Sequence, residues 1–382
     1  MKTLDKAKIS AGTRVLLRAD FNVSIRNGEV VDDFRVRKAL PTLDFLKKKG
    51  ANVVIISHIE NAEGVKGEPT LQPVAETLNK LGFPCEFLGT IEEAARRSLK
   101  LGSGFILVEN IRNYPGEKAN DPIFAAKLAA LGDMYVNDAF SVSHRAHASI
   151  VGVPKLLPHF AGLQFALEVE NISKAFKPSH PFLFILGGAK FDTKLPLVQR
   201  FLDKADDIFI GGALANDFFK AKGFEIGRST VSSSKIDFDG LLSNKKILLP
   251  VDVIACGLGA QKIVAPDKVF KNEKMLDAGP KTLAALKGKI GAAKFILWNG
   301  PLGNYENGYK EPTRELAHMI AAATKNGAQS IVGGGDTLAA IAELKQKSGQ
   351  SPEDSFTFVS TGGGAMLDFL AKGTLPGIEA LK

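Results

Sequence analysis

The chain has 382 residues, 45% of them apolar and 24% charged, with a formal net charge of +8 at pH 7. That length suits a globular protein of two domains, and two cysteines, Cys85 and Cys256, exclude a disulfide framework or a cysteine metal site. The positive balance suits an anionic partner. Lysines spread along the chain rather than gathered in a stripe, with no legible nucleic-acid module, argue against DNA or RNA and for a phosphorylated metabolite or nucleotide.

The first residues, Met1 to Lys8, carry charge with no apolar block behind them, and no apolar run approaches the roughly 18 residues of a membrane span. A soluble, cytoplasmic protein is expected. Short β-branched and aromatic runs then recur at 14–18, 52–57, 104–108 and 134–136, and again at 182–186, 207–210, 246–251, 295–298, 330–332 and 355–359. Helical periods fall between them at 36–49, 71–81, 122–131, 336–347 and 364–371. Repeated βα units predict an α/β fold with parallel sheets covered by helices on both faces. A helical segment at 162–176 interrupts the alternation and reads as the connector between two halves. The tail after Gly373 is turn-rich, and no short-period repeat suggests a solenoid.

In open parallel sheets ligands bind beyond the carboxyl ends of the strands. In the first half those ends carry Arg18-Ala-Asp20, Ser57-His58, Glu109-Asn-Ile-Arg112 and Asn137-Asp-Ala-Phe-Ser-Val-Ser-His-Arg-Ala-His147, with Arg35 at the head of the first helix. Arginines converging from several loops make a fork-lined site for a multiply anionic small molecule. The competing account is that each arginine serves a local carboxylate, Arg18 with Asp20 or Asp138 for example. His58, His144 and His147 have arginine neighbours that repel a metal cation.

In the second half the strand ends carry glycines: Gly187-Gly-Ala-Lys190 with Lys194, Gly211-Gly-Ala213, Trp298-Asn-Gly-Pro301, Gly333-Gly-Gly-Asp-Thr337 and Thr361-Gly-Gly-Gly364. Glycines at helix starts let backbone N–H groups reach phosphate oxygens, and Asp336 offers a carboxylate for Mg²⁺ or a helix cap. There is no Walker loop, no G-x-G-x-x-G after a strand and no protein-kinase motif set. A basic site in one half and a nucleotide site in the other suit a phosphotransferase. If its acceptor is already ionised, no acid/base dyad is needed.

These motifs together resemble phosphoglycerate kinases, from Arg18-Ala-Asp-Phe-Asn-Val23 through Tyr135-Val-Asn-Asp-Ala-Phe140, His144-Arg-Ala-His147, Leu186-Gly-Gly-Ala-Lys190, Leu249-Pro-Val-Asp252 and Trp298-Asn-Gly-Pro301 to Gly333-Gly-Gly-Asp-Thr337 and Ser360-Thr-Gly-Gly-Gly364. The resemblance implies two Rossmann-like lobes across a cleft: residues 1–161 with the tail 373–382, a hinge helix at 162–176, and a nucleotide lobe at 177–372. It implies a monomer that transfers a phosphoryl group reversibly from 1,3-bisphosphoglycerate to Mg-ADP. Asp20, Asn22, Arg35, His58, Arg112 and Arg145 would hold 3-phosphoglycerate, and Lys190 and Arg35 would neutralise the migrating group. Lys194, Gly211, Gly212, Ala213, Asn299, Gly333, Gly334, Gly335 and Thr337 would line the nucleotide, Glu306 would bind its ribose, and Asp336 would hold Mg²⁺.

Three departures stand out. The family's Ser-His-Leu-Gly-Arg-Pro is Ser57-His-Ile-Glu-Asn-Ala62, which puts Asn61 in place of an arginine. Gly-Gly-Gly becomes Gly211-Gly-Ala213, and Phe-Gly-Thr-Ala becomes Phe140-Ser-Val-Ser143, which predicts a stiffer loop. Asn61 and Ala213 motivate the alternative of a catalytically weakened relative that binds nucleotide.

Overall fold

Asn52–Ile56 and Phe182–Leu186 are buried along their whole length, as the continuous apolar runs of a doubly covered parallel sheet must be. The computed structural model describes residues 1–60, 69–189, 191–233, 237–238, 240–344 and 351–382, with backbone alone for 191–193. The chain divides into two compact units, Met1–Glu170 with Lys372–Lys382, and Asn171–Ala371.

In the first unit the described sheet is parallel, in the order Cys85–Leu88, Gly104–Val108, Asn52–Ile56, Arg14–Arg18, Met134–Asn137, His159–Ala161. Connections leave Arg14–Arg18 towards one edge and Met134–Asn137 towards the other, so the crevice where ligands bind such sheets lies beyond Arg18 and Asn137. The helix Phe34–Lys48 buries Val36, Ala39, Leu43 and Leu46, a stripe of helical period, against this sheet's core.

The second unit has the order Ile247–Leu248, Asp207–Ile210, Phe182–Leu186, Phe295–Asn299, Gln329–Gly333, Phe358–Ser360, again parallel. Its switch point lies between Phe182–Leu186 and Phe295–Asn299, where the glycine motifs fall. Phe182, Phe201 and Phe295 meet edge-on beneath it, with ring centroids 6.0 and 5.1 Å apart.

The prediction of parallel sheets alone misses two antiparallel ones: Val253–Gly257 flanked by Ala260–Val264 and Lys274–Ala278, and a two-stranded pair in the first unit, Ile25–Arg26 with Glu29–Val30. The predicted strand at 246–251 is only Ile247–Leu248, since Pro250 has no N–H for a ladder. The one at 355–359 begins later, as Phe358–Ser360, because Pro352–Ser355 forms a 3₁₀ turn closed by a Ser351/Asp354 capping box. Predicted helix 336–347 is Gly335–Ala342, and 345–347 lie outside the described residues.

The connecting segment is a helix, Leu163–Ser173, followed by a 3₁₀ turn, Lys174–Phe176. Its start is fixed by Asp138 Oδ1, which accepts the Phe165 N–H at 2.9 Å, and by Thr42 Oγ1, which accepts the Leu163 N–H at 3.0 Å. At the other end of the chain Pro376–Glu379 forms a short helix whose Gly377 N–H donates to the Ser143 carbonyl at 2.9 Å. A Cβ on Gly377 would lie 2.6 Å from Ser143 Cβ, so this approach requires glycine. Among the described residues no helix is long and apolar enough to cross a membrane.

Candidate active site

The polar residues beyond the strands of the first unit form one connected network. Asp20 pairs with Arg35 and accepts the Ser141 hydroxyl at 2.6 Å, while its Oδ1 accepts the Asn22 N–H at 3.3 Å. Asn22 Oδ1 in turn accepts the Glu60 N–H at 2.9 Å. The Glu60 carboxylate pairs with Arg112, and the same oxygen lies 3.7 Å from Arg145 Nη1. Asp20, Asn22, Arg35, Arg112 and Arg145, drawn from four separate segments of the chain, are therefore joined.

His58 sits beneath them, 1% exposed, with Nδ1 3.3 Å from Arg18 Nη2. Burial, then Arg18, Arg112, Arg35 and Arg145, push its pKa well below the ordinary 6.5, so the ring is a neutral hydrogen-bonding group at pH 7. The same forces push His147 down to about 4, burial first and then Arg112, Arg145 and Arg18. Arg112 is lowered to about 10 by burial and by Arg145 and Arg18, and remains a cation at neutral pH.

Arg18 differs from the other arginines. It is fully buried and donates from Nε to Ser149 Oγ at 2.9 Å and from Nη1 to the Ala19 carbonyl at 2.6 Å. Ser149 passes that contact to Glu117, giving its hydroxyl at 2.6 Å and its N–H at 2.9 Å to the two carboxylate oxygens. Arg18 hydrogen-bonds neither of the carboxylates its sequence neighbourhood suggests, and its guanidinium supports His58 from below instead of facing a ligand.

In the second unit the switch point is built by backbones in close contact. Gly187 N–H donates to the Asn299 carbonyl, Gly188 N–H to Pro301 and Gly212 N–H to Leu302, at 2.8 to 3.0 Å. Gly212 has φ +62°, and a Cβ there would lie 2.7 Å from Gly188 N. Lys194 Nζ rests on this turn, donating to the Gly187 carbonyl at 2.7 Å. Burial lowers its pKa to about 8, against the pull of Asp336. Lys190 lies outside the described residues, as does Asn61.

Beside this turn is a cavity of about 330 Å³. Gly212, Ala213, Glu306 and Asp336 line it together with Asn216 and Asp277. Asp336 opens the helix Gly335–Ala342, and its carboxyl is pushed up by burial and by Glu306 while Lys194 pulls it down. Gly334 and the buried Asn299 adjoin this helix start, where a Cβ on Gly334 would lie 3.3 Å from Asn299 Nδ2. The first turn, Gly335, Asp336 and Thr337, presents N–H groups that have no acceptor within the helix. The Thr337 side chain does not follow: it is fully buried and its hydroxyl accepts the Gly300 N–H at 2.9 Å. Gly211 and Gly333 act in packing. The Gly211 N–H belongs to the Leu186 carbonyl, and a Cβ on Gly333 would lie 2.5 Å from Met366 Sδ.

Asp277, at the carboxyl end of Lys274–Ala278, is 5% exposed, and its Oδ2 has no hydrogen-bond partner. Burial pushes its pKa from 3.8 up to about 7, against one N–H bond from Ala278. Between these values the folded chain holds a proton that the unfolded chain has lost, so stability is full at low pH and falls as pH rises towards 7. Asp277→Asn is expected to stabilise the second unit at pH 8 by as much as about 4 kcal/mol, with the gain vanishing near pH 4. Urea denaturation at the two pH values measures it, and a pH-independent difference would refute the assignment.

The chain matches the family model "Phosphoglycerate kinase" over residues 4–373. The chain belongs to the phosphoglycerate kinase family. It is 43% identical to the phosphoglycerate kinase of Dictyoglomus turgidum, covering 97% of this chain and 96% of that protein. It is 40% identical to that of Thermus thermophilus, covering 97% of each. Among solved structures it is similar to phosphoglycerate kinase from Coxiella burnetii, with a TM-score of 0.81 and 35% identity over 99% of this chain and 98% of that one. It is also similar to that from Pyrococcus horikoshii, with a TM-score of 0.85 and 29% identity over 100% and 98%. Members of this family are phosphotransferases with a carboxyl group as acceptor, and this chain is one of them.

Against the family's pattern, Ser141 and Ser143 are anchors. Ser141 bonds Asp20, and Ser143 Oγ donates to the Ala139 carbonyl at 2.9 Å, two contacts that tether the loop. Ala213 begins the helix Ala213–Ala221 and places its methyl in the cavity wall. Glu60, Glu117, Ser149 and Asp277 are absent from the sequence-based site. Two of them had a signal: Glu60, which stands where the family's Ser-His-Leu-Gly-Arg-Pro has glycine, and Asp277, a carboxylate that ends an apolar run and precedes Gly279-Pro280.

Proposed function

We propose that the protein catalyses reversible phosphoryl transfer from 1,3-bisphosphoglycerate to ADP, giving 3-phosphoglycerate and ATP in glycolysis or gluconeogenesis. The reading is supported above all by the linkage of Asp20, Asn22, Arg35, Arg112 and Arg145 into one basic network above a neutral His58. Such a site suits a small acid bearing both carboxylate and phosphate. The lobe 1–161 with 373–382 holds that acid, the lobe 177–372 holds the nucleotide, and 162–176 is the hinge about which the lobes bring the substrates together.

In the ATP-consuming direction a carboxylate oxygen of 3-phosphoglycerate attacks the γ-phosphorus as its bond to the β-γ bridging oxygen breaks, and ADP leaves with that electron pair. The acceptor is already ionised, so no proton needs to be removed and catalysis is positioning plus charge neutralisation. Asp20 orients Arg35, which with Lys190 balances the charge of the phosphoryl group in transit. Lys194 holds the nucleotide phosphates, whose negative charge favours its protonated form. The N–H groups of Gly335 to Thr337 cradle phosphate oxygens, Gly212 and Ala213 flank the base, and Glu306 takes the ribose. Asp336, half-buried beside Glu306 and Lys194, suits Mg²⁺, which takes one or two carboxylates and completes its shell with substrate phosphates. Bound there, the ion would neutralise phosphate charge.

The protein is expected to act as a cytoplasmic monomer without nucleic acid or membrane. Purified chain with Mg-ATP and 3-phosphoglycerate, coupled to reduction of the acyl phosphate, should turn over. A rate no higher than that of Lys190→Ala would defeat the proposal.

A further inference from the structure

Glu60 brings a carboxylate into a cluster that is otherwise cationic. One of its oxygens is shared by Arg112 and Arg145, and its backbone N–H is held by Asn22 at 2.9 Å. The two sides of this contact differ in freedom. The Arg112 side chain is 6% exposed and its Nε has no hydrogen-bond partner, whereas the Glu60 side chain is 51% exposed. The arginine is thus fixed by the fold, and the carboxylate can swing out to water about its own side-chain torsions. Two guanidinium groups converging on one oxygen form an anion subsite, and in the free protein that subsite is filled from within the chain.

We infer that Glu60 is an internal competitor for the anion subsite of Arg112 and Arg145: an incoming acidic ligand must displace its carboxylate, so Glu60 sets the affinity of this chain for anionic substrate. The inference rests on the reading of this network as the acid-binding site. Displacement exchanges one ion pair for another at a half-exposed position, so the effect is moderate. Ligands of higher charge outcompete the carboxylate more readily than monoanions, which gives the subsite a bias towards phosphorylated acids.

Glu60→Gln keeps the shape and removes the charge. Sulfate, titrated calorimetrically into the whole protein at fixed ionic strength, should bind about three- to tenfold more tightly to Glu60→Gln than to the unaltered chain. Glu92→Gln, which removes an exposed carboxylate from the helix Ile91–Ser98, controls for net charge and should leave sulfate affinity unchanged. In the coupled assay, Glu60→Gln should lower KM for 3-phosphoglycerate by a similar factor without raising kcat. Sulfate affinity that is unchanged, weakened or shifted equally by Glu92→Gln would overturn the inference. Tighter sulfate binding with no turnover in either chain would uphold Glu60 as competitor and defeat the phosphoglycerate reading. Turnover with sulfate affinity and KM both unmoved would do the reverse.

Discussion

Glu117→Gln is expected to destabilise the first unit by about 3–5 kcal/mol, the usual cost of leaving a buried charge without its partner. Arg18 and Glu117 are both fully buried, and Ser149 sits between them, accepting from the arginine and donating to the glutamate. Burial lowers the Arg18 pKa, and Glu117 is the first of the groups that oppose this. A guanidinium does not give up its proton in a protein, so removing the carboxylate strands a positive charge in the core. Urea denaturation followed by a probe in the first unit measures the loss. A change under about 1 kcal/mol would mean that Ser149 and the Ala19 carbonyl alone suffice to carry the charge. The double change Arg18→Met with Glu117→Leu should recover much of the loss, because it removes both desolvation costs. It should also weaken substrate binding, since His58 Nδ1 loses the Arg18 contact that helps to hold its ring.

That pair shows where sequence stops being informative. Glu117 stands in Tyr114-Pro-Gly-Glu-Lys118, a stretch with the composition of an exposed turn, and the residues that bury it, Ser149 and Arg18, are remote in the chain. Nothing local marks it. Phe182–Leu186 is legible because both of its faces are covered, so every residue is apolar. Ala260–Val264 is not, because it is an exposed edge strand whose Gln261 and Lys262 give it the look of a loop. Cys85–Leu88 escapes for the same reason, with Glu86 exposed at the sheet's edge. Charged and glycine residues at strand ends were readable, since a parallel sheet gives those positions a common destination. Which way each side chain turns was not. Thr337 and Arg18 both sit at such ends, yet each is turned inward to satisfy a neighbour.

Arg35→Met is expected to lower kcat by about 10²–10³, the usual effect of removing one preorganised donor from a site of developing charge. Arg35 is the second residue of the helix Phe34–Lys48, where the helix dipole disfavours a cation, and Asp20 offsets this by pairing with it. The Asp20 carboxylate is itself held by Ser141 at 2.6 Å, so the guanidinium is aimed before any substrate arrives. Preorganisation of this kind appears in kcat if Arg35 meets the phosphoryl group only in transit. It appears in KM alone if Arg35 merely binds the ground-state carboxylate. A tenfold or greater rise in KM with kcat intact would therefore remove Arg35 from the transfer step and leave it as a binding residue. Arg35→Lys separates charge from geometry: an ammonium restores the field but not the planar fork, so partial recovery of kcat is expected. Asp20→Asn completes the test, because it keeps the guanidinium and loosens its aim. If Arg35 acts through position as well as charge, that variant should lose kcat too, by a smaller factor than Arg35→Met.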